Sequence, residues 1–195
     1  MVLPNQLTVL RIILTPVFIY FFLQDDELSK QISLGIYVVA ALTDWYDGWL
    51  ARKFNYITSW GKFWDPLADK ILTAGAFLSL VYLGILELWM IVLMILRDFI
   101  VTIIRGYADY KGASFPTSRY AKWKTFFQMF FLYYILVLHV LTYTPIITQN
   151  YGDILVLLLN HDLIYYSTLV ITLITVHSGV VYIYANFSLI KKLFD

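Results

Sequence analysis

The chain has 195 residues, of which 61% are apolar and only 14% are charged, and its formal net charge at pH 7 is +1. A soluble domain is closer to half apolar and a quarter charged, so this composition indicates an integral membrane protein, which we expect to form one domain over residues 1–195. No basic run supports nucleic-acid binding, and the absence of cysteine excludes disulfide and thiol chemistry.

Six segments are long and apolar enough to predict membrane-spanning helices of about 20 residues each, and hence an all-α polytopic fold. In chain order they are residues 7–23, 31–53, 63–86, 87–107, 121–144 and 163–187. The first is too long for a signal-peptide core and no small-residue cleavage site follows it, so we expect it to be retained. Residues 154–159 are apolar but too short to cross. They could form a re-entrant piece, an interfacial piece, or the start of an early, tilted sixth helix.

The distribution of basic residues predicts the orientation of these helices. The 2–3 connection, the 4–5 connection and the C-terminal tail carry ten of the 14 lysines and arginines. The opposite side is acidic, and Lys30 is its only basic residue. We therefore expect both termini to be cytoplasmic.

Four carboxylates lie near the predicted cytoplasmic ends of the second and third helices. Asp44 and Asp47 are three residues apart, Asp65 and Asp69 are four apart, and both spacings place side chains on one helix face. Acids in or near a bilayer are costly and are usually functional, and four of them together would repel one another without a cation. Hard oxygen ligands suit Mg²⁺, Mn²⁺ or Ca²⁺. The pattern predicts a divalent-metal site. The alternatives are a cation pathway in a small transporter, or helix-end acids in water.

The residues beside these acids suit a phosphorylated ligand. Gly48 and Ala51 are small enough to let a bulky group approach the helix, although small residues also serve to pack helices in membranes. Arg52 offers a fork of donors suited to phosphate, and Gly61 allows a sharp turn in the loop. Together with a bound metal, these residues predict a substrate that carries a diphosphate.

The same residues resemble the signature of the CDP-alcohol phosphatidyltransferase family, with every fixed position present at its spacing. The signature positions are Asp44, Asp47, Gly48, Ala51, Arg52, Gly61, Asp65 and Asp69. The resemblance implies six transmembrane helices in a homodimer, with a site of one or two Mg²⁺ or Mn²⁺ ions facing the cytoplasm. It also implies transfer of a substituted phosphate from a CDP-linked donor to an alcohol, with release of CMP.

The resemblance further implies roles for individual residues. Asp44, Asp47 and Asp65 would be metal ligands, and Asp69 would be the general base and would also touch a second metal. The residues expected to border the CDP moiety are Asp47, Gly48, Ala51, Arg52 and Gly61. Asn5 and Arg11 are further candidates for binding the donor or bracing the metal site; a helix cap and a snorkelling arginine explain them equally well.

Three other stretches, residues 4–11, 97–105 and 122–128, resemble the branch of the family that uses CDP-diacylglycerol as donor and glycerol 3-phosphate as acceptor in the bacterial cytoplasmic membrane. That branch usually has Glu and Gly where this chain has Asp98 and Ala121. A sister enzyme that uses an inositol phosphate, inositol or serine therefore remains an alternative.

Basic residues of the fourth and fifth helices are candidates for binding the acceptor's phosphate. They are Arg97, Arg105, Arg119, Lys122 and Lys124. The alternative is contact with anionic lipid, which we favour for Arg119, as we do for Lys111, Lys191 and Lys192. Arg97 lies about 12 Å deeper in the fourth helix than Arg105, where it needs an anion. Asp98 is one possible neutralising partner, although adjacent residues on a helix do not face each other.

Overall fold

A computed structural model of the chain describes residues 3–54, 59–111 and 119–194. Within these ranges it describes the backbone alone at residues 3–5, 44–45, 47–54, 59–63, 109–110, 119, 121, 188 and 192–194. The regular structure of the described residues is helical throughout. Its helices are α1 (Leu3–Phe22), α2 (Glu27–Phe54), α3 (Ser59–Tyr82), α4 (Leu88–Tyr110), α5 (Arg119–Leu141), α6 (Pro145–Leu158), α7 (His161–Ala185) and α8 (Phe187–Phe194).

The surface of these helices is that of a membrane protein. In the described part of the chain, two stretches are both long and apolar enough to cross a bilayer, Lys122–Leu141 in α5 and His161–Ala185 in α7. Helices α3 and α4 are of similar length but carry the acids and arginines singled out above. They nevertheless expose large apolar side chains such as Leu78, Leu96 and Ile103. So much outward apolar surface favours lipid over water as the surrounding medium.

The six predicted segments correspond to α1–α5 and α7, with boundary errors of up to four residues. The third segment was expected to continue to residue 86, but α3 ends at Tyr82. Gly84 has a φ of 72°, and the amide of Ile85 donates to the carbonyl oxygen of Leu80 at 3.0 Å. This is the glycine-based termination of a helix known as the Schellman motif.

Residues 154–159 do not begin an early sixth helix, and that alternative was wrong. All but Leu159 belong to α6, a separate helix of 14 residues with Pro145 at its N-terminus. Asn160 then starts α7, because its side chain accepts hydrogen bonds from the amides of Asp162 and Leu163. Helix α8, which follows Asn186, was not predicted.

Helix packing brings the candidate site residues together. Helix α1 packs against both α2 and α3, α4 packs against α3 and α7, and α5 packs against α2, α6 and α7. A core of buried side chains that includes Phe18, Tyr37, Leu72, Met94 and Leu132 joins α1–α5. Helix α3, which carries two of the acids, therefore lies between α1 and α4.

Lys30, expected on the acidic side of the membrane, is fully buried at the start of α2. Its ammonium donates to the carbonyl oxygen of Phe22 at 2.6 Å, lies 3.3 Å from Nε2 of His139, and lies 4.5 Å from the centre of the Tyr143 ring. Lys30 thus caps the C-terminus of α1, where a cation also interacts favourably with the helix dipole.

Candidate functional site

The acid pair of α3 is supported by α1. Asp65 and Asp69 lie one turn apart and both are partly buried. The hydroxyl of Thr8 donates to Oδ1 of Asp65. Arg11 is fully buried and close enough to Asp65 to interact with it electrostatically. A buried guanidinium does not snorkel to water, so these contacts favour the alternative in which Arg11 braces the acids.

The donor set on α3 fits a divalent cation. Two carboxylates on one face of a helix offer the hard oxygens that Mg²⁺ and Mn²⁺ prefer. Asp44 and Asp47 lie within the helical backbone of α2, where their side chains are not described. Accordingly, the described side chains contain no group of three or more candidate ligands. The four-aspartate metal site stays a prediction.

The predicted donor-binding residues likewise lie where side chains are not described, so their roles also stay predictions. They are Asp47, Gly48, Ala51, Arg52, Gly61 and Asn5.

Asp69 lies in the wall of a cavity of about 270 Å³ between α2, α3 and α5. Tyr37, Thr73 and Tyr133 are among the other lining residues. The hydroxyl of Thr73 donates to the backbone carbonyl of Asp69 at 2.8 Å, so it does not compete for the carboxylate. A ligand in this cavity can therefore reach the Asp69 side chain.

A second cavity, of about 530 Å³, lies between α3, α4, α5 and α7, and we term it the cation cavity. Its basic lining residues are Lys70, Arg97, Arg105 and Lys122. Thr125 and Met129 line both cavities, so the two adjoin. Lys70 also lies 3.3 Å from Oδ2 of Asp69. An anion among the cations would therefore be a neighbour of the predicted base.

The carboxylate of Asp98 organises one wall of the cation cavity. Its Oδ1 accepts from Lys124 at 2.5 Å and from Arg97 at 2.9 Å, and its Oδ2 accepts from Gln128 at 3.2 Å. The other terminal nitrogen of Arg97 donates to Ser178 of α7 at 2.9 Å. Asp98 does neutralise Arg97, because the long arginine side chain reaches round to its neighbour on the helix.

The predicted acceptor-binding residues separate into three groups. Arg97, Arg105 and Lys122 line the cation cavity. Lys124 is only 2% exposed and its ammonium is bound to Asp98, so it lies behind the wall rather than in it. Arg119 has no described side chain.

Two arginines line the cation cavity with part of their side chains and bury the rest. Within the described part of the chain, the buried Nε atoms of Arg97 and Arg105 have no hydrogen-bond partner. The guanidinium of Arg105 lies 5.6 Å from the centre of the Tyr182 ring, which holds it against α7. The positive charge of these two arginines at the cavity suits an anionic ligand with several acceptor oxygens.

Sequence reasoning missed Lys70 and Ser178 as site residues. Lys70 was detectable as a cation directly after the last aspartate of the signature. Ser178 gave no signal, because it lies in an apolar segment 81 residues from its partner Arg97.

Comparisons with known proteins show the family of this chain. The profile of the CDP-alcohol phosphatidyltransferase family matches residues 1–181. The CDP-diacylglycerol–glycerol-3-phosphate 3-phosphatidyltransferase of Rickettsia typhi is 39% identical over 130 residues, which cover 67% of this chain and 73% of the relative. The protein of the same name from Bacillus subtilis is 35% identical over 139 residues, covering 65% of this chain and 72% of the relative. The chain therefore belongs to the CDP-alcohol phosphatidyltransferase family, whose members are enzymes of phospholipid synthesis.

Proposed function

We propose that this protein transfers the phosphatidyl group of CDP-diacylglycerol to glycerol 3-phosphate, giving phosphatidylglycerophosphate and CMP. The observation that carries the proposal is the cation cavity, which adjoins the cavity of Asp69. The names of the Rickettsia and Bacillus relatives support the same donor and acceptor.

The charge of the cation cavity favours an acceptor that is a phosphate monoester. Among the described residues four cations and one carboxylate line it, and that carboxylate, Asp98, is already bound by Lys124 and Arg97. A phosphate dianion would use the remaining positive charge. Neither inositol nor serine carries a phosphate to neutralise that charge, which makes them poor acceptors. The relatives' names favour glycerol 3-phosphate over an inositol phosphate.

The mechanism follows from the adjoining cavities. With its phosphate in the cation cavity, the acceptor extends a hydroxyl past Thr125 toward Asp69. That oxygen forms a bond to the β-phosphorus of the donor in line, the bond from this phosphorus to the CMP oxygen breaks, and Asp69 takes the hydroxyl proton. One displacement completes the transfer, with no covalent enzyme intermediate.

A divalent cation fits the aspartates of this site. Asp44, Asp47, Asp65 and Asp69 would hold Mg²⁺ or Mn²⁺, in one or two ions, and bound metal would neutralise charge on the diphosphate. Residues of the signature would border the CDP moiety, with Arg52 on its phosphate. These donor-side residues are Asn5, Asp47, Gly48, Ala51, Arg52 and Gly61.

In the membrane, α1–α5 and α7 would be the six spans, while α6 and α8, of 14 and 8 residues, are too short to cross. The excess of basic residues at one end places both termini and the aspartates on the cytoplasmic side. The protein would act as a homodimer in the bacterial cytoplasmic membrane, where the site can meet both a lipid and a water-soluble acceptor.

A direct assay tests the acceptor. The protein purified in detergent is given CDP-diacylglycerol, Mg²⁺ and radiolabelled glycerol 3-phosphate, inositol 1-phosphate, inositol or serine in parallel. We expect labelled lipid and equimolar CMP with glycerol 3-phosphate alone, loss of both with EDTA, and recovery with Mg²⁺ or Mn²⁺. Label from inositol 1-phosphate alone would overturn the acceptor. Cation flux in vesicles without CMP release would favour the transporter alternative.

Arg105 provides the most specific test of the cation cavity. A hydrogen bond to a charged group contributes about 1.5–3 kcal/mol, so Arg105→Ala should raise the KM for glycerol 3-phosphate about 10- to 150-fold, with a small effect on the KM for the donor. Lys191→Ala is the control, because Lys191 is exposed and lines neither cavity. An unchanged KM for glycerol 3-phosphate in Arg105→Ala would instead favour contact of this residue with anionic lipid.

A further inference from the structure

Lys70 belongs to both halves of the site. Its ammonium lies 3.3 Å from Oδ2 of Asp69, and the same side chain lines the cation cavity with Arg97, Arg105 and Lys122. The side chain of Lys70 is 16% exposed and that of Asp69 is 30% exposed. Lysine carries its charge on a flexible four-carbon stem, so the ammonium can turn toward either neighbour without movement of α3.

A carboxylate oxygen of Asp69 that is free of metal would be a liability while the bound donor waits for an acceptor. If Asp69 accepted a proton from water, the water oxygen would bond to the β-phosphorus and the bond to CMP would break. The products would be phosphatidic acid and CMP, and the donor would be lost. An ammonium on the carboxylate competes with water for its oxygens and so suppresses this reaction.

The acceptor's own phosphate can remove that ammonium. A phosphate monoester carries nearly two negative charges at neutral pH and offers three acceptor oxygens, whereas the carboxylate carries one charge and two oxygens. The pair with Asp69 is between adjacent residues and partly solvated, which makes it weak and easily exchanged. A phosphate held by Arg97, Arg105 and Lys122 would lie within the same cavity as Lys70.

We propose that Lys70 is an exchangeable partner of Asp69: it pairs with the base until the acceptor's phosphate fills the cation cavity and draws the ammonium away. Acceptor binding would thereby release the carboxylate for the transfer step. This inference rests on the proposed function above. Loss of Lys70 should uncouple the two events, so that water is used as well as the acceptor.

Two lysine-to-glutamine variants in the same cavity separate this role from simple attraction of phosphate. Lys70→Gln should raise the KM for glycerol 3-phosphate. It should also raise, about tenfold, the ratio of the rate of CMP release without acceptor to the rate of transfer. Lys122→Gln should raise the KM for glycerol 3-phosphate without changing the ratio of hydrolysis to transfer. The contacts between described residues include none of Lys122 with Asp69. Lys70→Arg should restore the wild-type ratio of hydrolysis to transfer. Equal ratios in the two glutamine variants would overturn the proposal.

An acceptor supplied in two parts, as glycerol and separate inorganic phosphate, tests the exchange in the wild-type protein. Wild-type protein is given CDP-diacylglycerol and glycerol, which lacks a phosphate, with and without inorganic phosphate. Phosphate in the cation cavity should accelerate transfer to glycerol several-fold, and Lys70→Gln should lose most of that acceleration. No effect of phosphate on wild type would overturn the proposal even if Lys70→Gln fails to fold. Wild type that makes no lipid from intact glycerol 3-phosphate would instead refute the proposed function.

Discussion

Asp98 compensates a lysine that the fold has removed from water, and its charge should be required for stability. Lys124 is 2% exposed and its ammonium is bound to Asp98. Removing one partner of a buried ion pair costs about 3–5 kcal/mol, because the other charge is left uncompensated. We expect Asp98→Asn to lower the free energy of unfolding by about 3 kcal/mol, the lower end of that range, because the amide oxygen can still accept from Lys124. In a protein of this size that lowers Tm by about 6–12 °C.

The assay is thermal unfolding in detergent, followed by tryptophan fluorescence at fixed protein concentration. A double variant, Asp98→Asn with Lys124→Met, removes both charges and should recover most of the lost Tm, because no uncompensated ammonium is left buried. A double variant no more stable than the single one would show that the stranded lysine charge is not the cause. Arg97 would still be unsupported in both, so neither should regain normal affinity for the acceptor.

Three further substitutions probe the proposed base, the wall of the cation cavity and the C-terminus of α1, and a fourth serves as a control. Asp69→Asn should abolish transfer and largely keep donor binding, because an amide cannot take the hydroxyl proton, and near-normal turnover would remove Asp69 as the base. Gly179→Ala should raise the acceptor KM, because a Cβ there would lie 2.7 Å from Cγ of Arg97. Gly35→Ala, where a Cβ meets no atom within 4 Å, should leave the kinetics unchanged. Lys30→Met should lower the free energy of unfolding by about 1–3 kcal/mol, because the last carbonyl of α1 loses its donor. An unchanged Tm would contradict that.

The long helices could be predicted because their signal is local. An apolar run of about 20 residues has few alternatives to a helix in lipid, and all six predicted runs are helical. The third boundary was misplaced because apolarity continues through residues 83–86 while Gly84 ends the helix. The separate helix α6 was missed for a related reason: composition does not show that Asn160 caps a new helix after it.

The parts of the site that escaped prediction depend on contacts distant in sequence. The spacing of Asp65 and Asp69 already places them on one face, and the structure adds that Asp69 lines a cavity. Whether Lys124 faces a substrate or an aspartate depends on how α5 turns against α4, which a single sequence does not contain. The same is true of Arg97, whose second partner lies on α7.

The order of charges along the chain explains why the site needs two cavities. The signature acids occupy α2 and α3, and most of the cations that face a ligand occupy α4 and α5. If the two sets mixed freely they would neutralise one another, and neither could hold a metal or a phosphate. The fold sets the cavity of Asp69 and the cation cavity on opposite sides of Thr125 and Met129, with Asp98 supporting the cation wall. In the described part of the chain the charges of the two cavities meet at Asp69 and Lys70, where the proposed reaction takes a proton from the acceptor.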